Sequence, residues 1–486
     1  MSYPVKTALT VGMVLGIVAG GAKFYKFFPA QTADHLLAFH EPRRKNPPKP
    51  ELPVGPNFGK YRQALAVGGG AAGDKPLAEP RAVGRGGVDL AVLGGVEPVW
   101  DASNNLDHFF EALAKVERKE EGIAVRIAHY GDSPTTADLI TADVRELLQR
   151  QFGDAGHGYY LIDKPWAWYA HRGLSSDASG WESEPATTAK IRDGMYGYGG
   201  VSFRGAAGAR ARFKWAKNAE HTEVEVGYWR QAQGGTVRVE ACGVKLGEVD
   251  TAGEAGSAFA KFDLSPGCKE LTLSVTSGRV RLYGVSLRRE AGGVIYDSLG
   301  INGAYISVLS KFLKPEHWGE QLRHYQPHLV VINYGTNESV YAAFVDKVFE
   351  KELRETIKRA RVAVPEASIL VMSPMDRGAR GASGAIETVP AIEKLVAIEQ
   401  KVAQEEGVAF FNTFAAMGGN GTMREWYEGT PRLVGADFIH PMPAGAKRIG
   451  EYLYRALLDG FNHYKSRKSG SVEVAGEAAK GPGGQN

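Results

Sequence analysis

Residues 124–135, AVRIAHYGDSPT, decide how the rest of the chain is read. Seven mostly apolar residues end at Tyr130, which is the pattern of a buried strand. Gly131 stops the strand, and Asp132-Ser133-Pro134 opens a helix. In a parallel α/β sheet that junction is the carboxyl end of a strand, where such folds build their sites. Ser133 therefore sits where a side-chain hydroxyl can act as a nucleophile, with its own N–H free at the helix N-terminus.

Working outward, an amphipathic helix (LDHFFEALAKVERKE, from Leu106) precedes this strand. A second helix follows through Leu139, Ile140, Val144, Leu147 and Leu148, and stops near Gly153. From about 175 to 290 the period changes to two. TEVEVGYW, GTVRVEA, KELTLSV and GRVRLYGVSL alternate apolar and polar positions between Gly/Ser turns, as in an antiparallel sandwich with one face of each sheet buried. After Gly293 helices again separate apolar strands: VIYD, HLVVINYG, ASILVMSP and VAFFNTF. The expected fold is α/β, a three-layer parallel sheet with helices on both faces. A jelly-roll-like β-sandwich interrupts it after its first βα unit. The boundaries read as 96–174 and 292–464 for the α/β domain and 175–291 for the insert.

The chain has 486 residues, 58 Lys+Arg and 55 Asp+Glu, for a formal net charge of +3. That length suits two or three domains, and the near-neutral balance argues against nucleic acid as a partner. Only Cys242 and Cys268 are present, which excludes a disulfide-dense scaffold and Cys-ligated metal clusters. Residues 1–28 contain a charge-free apolar run, Thr7–Ala22, and read as an export signal, cleaved or retained as a membrane anchor. Export places the protein in the periplasm or cell envelope. It also leads us to expect a disulfide between the two cysteines, the alternative being two reduced thiols packed as small apolar side chains. Residues 29–95, rich in Pro and Gly, read as a tether, and 465–486 as a disordered tail.

Three further segments fall near strand ends: Gly300-Ile301-Asn302-Gly303, Gly335-Thr336-Asn337-Glu338 and Asp437-Phe438-Ile439-His440. With Gly131-Asp132-Ser133 they offer what acyl transfer requires: a nucleophile, a base, a group orienting the base, and donors for an oxyanion. Singly each has a plain reading. Asp132 can cap a helix, Asn337 can be a turn residue, and His440 is one of 12 histidines. Jointly they favour catalysis.

The four segments, in this order, resemble the blocks of the SGNH (GDSL) hydrolase family. The resemblance implies Ser133 as nucleophile, His440 as base and Asp437 as its orienting acid. It implies an oxyanion hole from the Ser133 and Gly303 N–H groups and the Asn337 amide. Glu338 departs from the aspartate many members carry there. GDSPT, GINGA, YGTNES, AMGGNGTMREWY (416–427) and DFIHPMPAG are closest to the peptidoglycan O-acetylesterases, in which a carbohydrate-binding-like jelly roll interrupts the hydrolase. The implied function is removal of O-acetyl groups from an envelope polysaccharide, most simply peptidoglycan, with no cofactor and no metal. The partners would be that polysaccharide and, through the N-terminal segment, the membrane. Rivals are a polysaccharide O-acetyltransferase using the same residues and an inactive polysaccharide-binding protein. Ser298, in YDSLG, lacks the G-x-S-x-G context of a nucleophile elbow. Tyr159, Tyr160, Trp166, Trp168 and Tyr169 can stack on sugar rings or pack an inter-domain core. His157 and His171 lack metal-ligand spacing.

Overall fold

The computed structural model describes residues 93–188 and 193–479, with side chains as far as 469. The export segment and nearly all of the 29–95 tether lie outside these residues. Five strands form an all-parallel sheet: β1 (Ala124–Gly131), β11 (Gly293–Gly300), β12 (Leu329–Asn333), β13 (Ser368–Met372) and β16 (Ala409–Phe411). Their order is β11-β1-β12-β13-β16. Because side chains alternate along a strand, each strand feeds two cores. Ala128, Val330, Ile369 and Val371 pack with Trp318, Leu353, Ile357 and Leu395 of helices Pro315–Tyr325, Glu350–Ala363 and Ala391–Glu406. Ile127, Val294, Val331 and Leu370 pack with Phe109, Leu113, Ile140 and Leu453 of helices Asp107–Glu117, Leu139–Phe152 and Pro443–Ala479. Both faces are covered, which explains why these strands read as unbroken apolar runs.

The register aligns the strand ends that matter: Gly131 pairs with Gly300 on one side and Asn333 on the other. At Gly300 the one-turn helix Ser133–Thr136 presses so close that a Cβ would lie 2.2 Å from the Thr136 nitrogen. Only glycine permits that approach.

Nine strands form the antiparallel part: β2 (Gly158–Tyr160), β3 (Leu174–Pro185), β4 (Val201–Trp215), β5 (Glu223–Arg230), β6 (Thr236–Ala241), β7 (Val244–Asp250), β8 (Gly256–Asp263), β9 (Glu270–Ser277) and β10 (Arg279–Arg288). They make one connected hydrogen-bond network rather than two separate sheets. The link is β4, whose first half pairs with β10 and whose second half pairs with β9. The network also recruits β2, ahead of the expected boundary at 175, by pairing it with β10. Cys242 and Cys268 are bonded to each other here, with Cα atoms 5.8 Å apart.

The antiparallel part shares a core with the parallel sheet. Tyr159, Tyr198, Leu282 and Val285 belong to the same apolar cluster as Tyr130, Trp318 and Val330. At the seam Arg126 of β1 pairs with Asp297 of β11 (3.2 Å) and donates to Ser286 of β10 (3.0 Å). Asp297 also accepts from the Tyr159 N–H (2.8 Å) and the Tyr198 hydroxyl (3.1 Å).

The last helix runs to Ala479, beyond the expected end at 464. Ion pairs hold its extension on the first helix, Lys465 with Glu117 and Arg467 with Asp107, and Tyr464 donates to Glu111. The polar composition of this stretch does not reveal the helix because its partners are more than 340 residues away.

Candidate active site

Ser133 opens its one-turn helix at the end of β1, and Thr135 and Thr136 donate their N–H groups to the Asp132 carbonyl. The Asp132 side chain makes no cap bond, so the helix-cap reading of Asp132 fails. Its carboxyl instead turns toward the Thr336-Asn337 turn. Burial pushes it up to about 7, against the hydrogen bond from Thr336 and the charge of His440.

His440 reaches Ser133 across 307 positions of sequence: its Nε2 lies 2.8 Å from the Ser133 Oγ. Its Nδ1 lies 2.7 Å from the Asp437 Oδ2. With the proton on Nδ1, Asp437 accepts, and Nε2 is left to accept from the Ser133 hydroxyl. The other oxygen of Asp437 accepts from the N–H groups of Ile439 and His440, both at 3.1 Å. Although burial works to raise it, the hydrogen bond and charge of His440 hold the Asp437 carboxyl below its ordinary value. This tight loop needs Phe438 at a φ of 59°, a left-handed conformation uncommon for a bulky residue. The Phe438 ring is gripped edge-on by Tyr427, 4.8 Å away, with the Arg380 guanidinium 5.2 Å from its centroid. Tyr427 belongs to the 416–427 stretch whose resemblance stood out in the sequence.

Asn337 joins the remaining segments. Its amide nitrogen donates to the Ala304 carbonyl at 2.9 Å and lies 3.5 Å from the Asp132 Oδ2. It thus ties the residue after Gly303 to the residue before Ser133. Gly303 is exposed at a φ of 68°, and its N–H has no protein acceptor among the described residues. One N–H of Asn337 is occupied, so any donation to substrate uses the hydrogen aimed along the long Asp132 contact.

Sequence reasoning missed the part played by Glu338. Fully buried, it accepts from the Ile306 N–H (2.7 Å) and the Gly335 N–H (3.0 Å), clamping the Gly303 segment to the Asn337 segment. Burial pushes its carboxyl up to about 8 despite these bonds, and Asp132 adds to the rise. The extra methylene that distinguishes it from the aspartate of the family pattern was the available signal. Glu399, on helix Ala391–Glu406, is buried and unpartnered at Oε2, and burial next to Glu338 and Asp132 holds it far above the ordinary glutamate range. As pH rises through the ordinary glutamate range the unfolded chain releases a proton that folded Glu399 keeps, so this group lowers stability as pH rises. Glu399→Gln is therefore expected to raise the melting temperature more at pH 8 than at pH 5. An equal gain at both values would contradict the assignment.

Other expected candidates are structural. Ser298 donates to the Thr135 carbonyl (2.9 Å) and meets Thr141 (2.8 Å). His157 and His171 bond each other at 3.0 Å. Tyr159, Tyr160 and Tyr169 are buried among other rings, whereas Trp168 is 37% exposed and donates to the side chain of Asn302.

Residues 273–448 match the profile of the GDSL-like lipase/acylhydrolase family. The chain carries a GDSL-like lipase/acylhydrolase domain. The matched range of this domain includes Gly303, Asn337, Asp437 and His440, while Ser133 precedes it. A solved peptidoglycan O-acetylesterase structure shares the GDSL/SGNH hydrolase fold with this chain. The TM-score is 0.64 at 21% identity, and the match covers 74% of this chain and 97% of that one. A family two carbohydrate esterase from Clostridium thermocellum, solved with cellohexaose, aligns over 57% of this chain and 97% of its own at 14% identity, with a TM-score of 0.26. No curated protein sequence matches the chain.

Proposed function

We propose that the protein is a serine esterase that removes O-linked acetyl groups from an envelope polysaccharide, with peptidoglycan the first candidate. The observation behind this reading is the hydrogen-bonded run Ser133–His440–Asp437 at the carboxyl edge of the parallel sheet. In the proposed mechanism His440 takes the Ser133 proton as Oγ attacks the ester carbonyl, and Asp437 stabilises the imidazolium. The oxyanion is met by the N–H groups of Ser133 and Gly303 and by the Asn337 amide. His440 then protonates the departing sugar oxygen, and water cleaves the acetyl-Ser133 ester by the reverse proton path. The shared fold with a peptidoglycan O-acetylesterase supports the choice of glycan. The apolar segment 7–22 supports export to the periplasm or envelope, as a signal that is cleaved or retained as a tether in the inner membrane. We assign the antiparallel part a glycan-holding role, as a jelly-roll-like module beside the site.

The test is acetate release from a panel of O-acetylated glycans, with and without acceptor sugars. Release into water from peptidoglycan supports the reading, and transfer to the acceptor would favour an O-acetyltransferase. Within it, Asn337→Ala is expected to lower kcat by about 10²–10³-fold, as for one lost oxyanion donor, with KM little changed. A purely structural turn residue would instead lower the melting temperature and leave activity per folded molecule intact.

A further inference from the structure

One cation borders the site without an acid to match it. Arg377 follows β13 and leads into a hairpin of β14 (Gly378–Arg380) and β15 (Ile386–Thr388). Its neighbour Gly378 donates to the Phe438 carbonyl (2.9 Å), which fixes Arg377 against the Asp437–His440 loop. The side chain is half-buried, and through Nη1 it donates to the Thr336 carbonyl (2.6 Å) and the Ser339 hydroxyl (3.3 Å), on the turn that holds Asn337. Among the described residues no carboxylate lies within ion-pair distance of it. Among the same residues its Nε and Nη2 have no acceptor. The charged or ionisable groups around it are Asp132, Tyr305 and Asp437, all part of the Ser133 site or its rim.

Half-burying a guanidinium without a paired acid is unfavourable unless something else supplies the anion. The anchored Nη1 freezes the fork, leaving one edge, Nε and Nη2, to receive two oxygens. That edge matches a carboxylate in the two-bond arrangement an arginine favours. The surroundings suit a sugar: exposed Tyr341 packs on Tyr305 (ring centroids 6.2 Å apart), two positions beyond Gly303, and Trp168 stands on Asn302.

We infer that Arg377 is a specificity residue that binds a carboxylate carried by the glycan next to its acetylated position, so that the site selects anionic sugars over neutral ones. This rests on the esterase reading above, and it narrows that reading to acidic glycans. A neutral acetylated polysaccharide would leave the arginine edge unmet.

The probes are N-acetylmuramic acid, its methyl ester, and N-acetylglucosamine, used as inhibitors of 4-nitrophenyl acetate hydrolysis by the full chain. They differ in whether a carboxylate is present and charged. The free acid is expected to inhibit about 10- to 100-fold more tightly than the ester or the neutral sugar, the range for one charge-assisted hydrogen-bonded contact. That preference should vanish in Arg377→Ala and shrink in Arg377→Lys, which keeps the charge but loses the fork. Equal inhibition by acid and ester overturns the proposal, as does a preference that survives in Arg377→Ala, or no inhibition by any probe. If Arg377 only buttresses the Thr336 turn, kcat on the small ester falls in both variants while the acid-to-ester ratio stays as in the wild type, which also overturns it. Acetate release from neutral glycans alone would reject Arg377 selectivity while keeping the esterase. Failure of the wild type to hydrolyse any acetyl ester would remove the esterase reading itself.

Discussion

Ser133→Ala is expected to lower ester turnover by at least about 10⁴-fold, with the melting temperature nearly unchanged. The Ser133 hydroxyl meets His440 at 2.8 Å and has no other side-chain partner among the described residues, so its loss leaves no buried group stranded beyond the imidazole edge. His440 stays bonded to Asp437, and Asn337 and Glu338 keep the two neighbouring segments in place. Only the proposed nucleophile disappears. Acetate release should fall to the level of the site without covalent catalysis, and labelling by a serine-directed fluorophosphonate should be lost. Near-normal turnover by the variant would sink the mechanism. Ser298→Ala, which removes a hydroxyl sealed between Thr135 and Thr141, should instead show its effect in stability.

The largest expected effect on stability lies at the seam between the two sheets. Asp297→Ala removes the carboxylate that pairs with Arg126 and accepts from the Tyr159 N–H and the Tyr198 hydroxyl. Each of those partners is buried, so an uncompensated charge and two unmet donors remain. A cost of about 3–5 kcal/mol is expected, as for other broken buried ion pairs. Urea unfolding monitored by tryptophan fluorescence measures it. A midpoint unchanged within error would mean that water fills the site or that the two sheets are stabilised independently. The same shared core implies that excising 175–291 exposes Tyr130 of β1 and Trp318 and Tyr325 of the helix Pro315–Tyr325. Single substitutions are therefore the cleaner probe of what the antiparallel part contributes.

The architecture was legible wherever local chemistry dictates it. Val125–Tyr130, Leu329–Ile332 and Ser368–Met372 read as buried strands because a sheet covered on both faces needs uninterrupted apolar runs. Glycines at 131, 300 and 335 end segments of chain, and the polar residues after them fall at one edge of the sheet. That placement singles out Ser133, whereas the pairing of Asp437 and His440 with it is what the resemblance to the SGNH hydrolases implies. The 465–468 stretch misled because its ion-pair partners, Glu117 and Asp107, lie on the first helix.

The parallel strands and the switch to period two are written in local patterns, and the three residues that meet at 2.7 and 2.8 Å are those the family resemblance implies. Tertiary structure alone decided which polar groups are buried, and against what. It turned Asp132 away from its helix, set Glu338 between two backbone N–H groups, buried Tyr159, Tyr160 and Tyr169 while exposing Trp168, and left Arg377 beside the site without an acid. Periodicity and turn chemistry act over a few residues and are written into neighbouring positions. The environment of a buried charge depends instead on contacts such as Arg126 with Asp297, 171 positions apart, which exist only once the chain has folded.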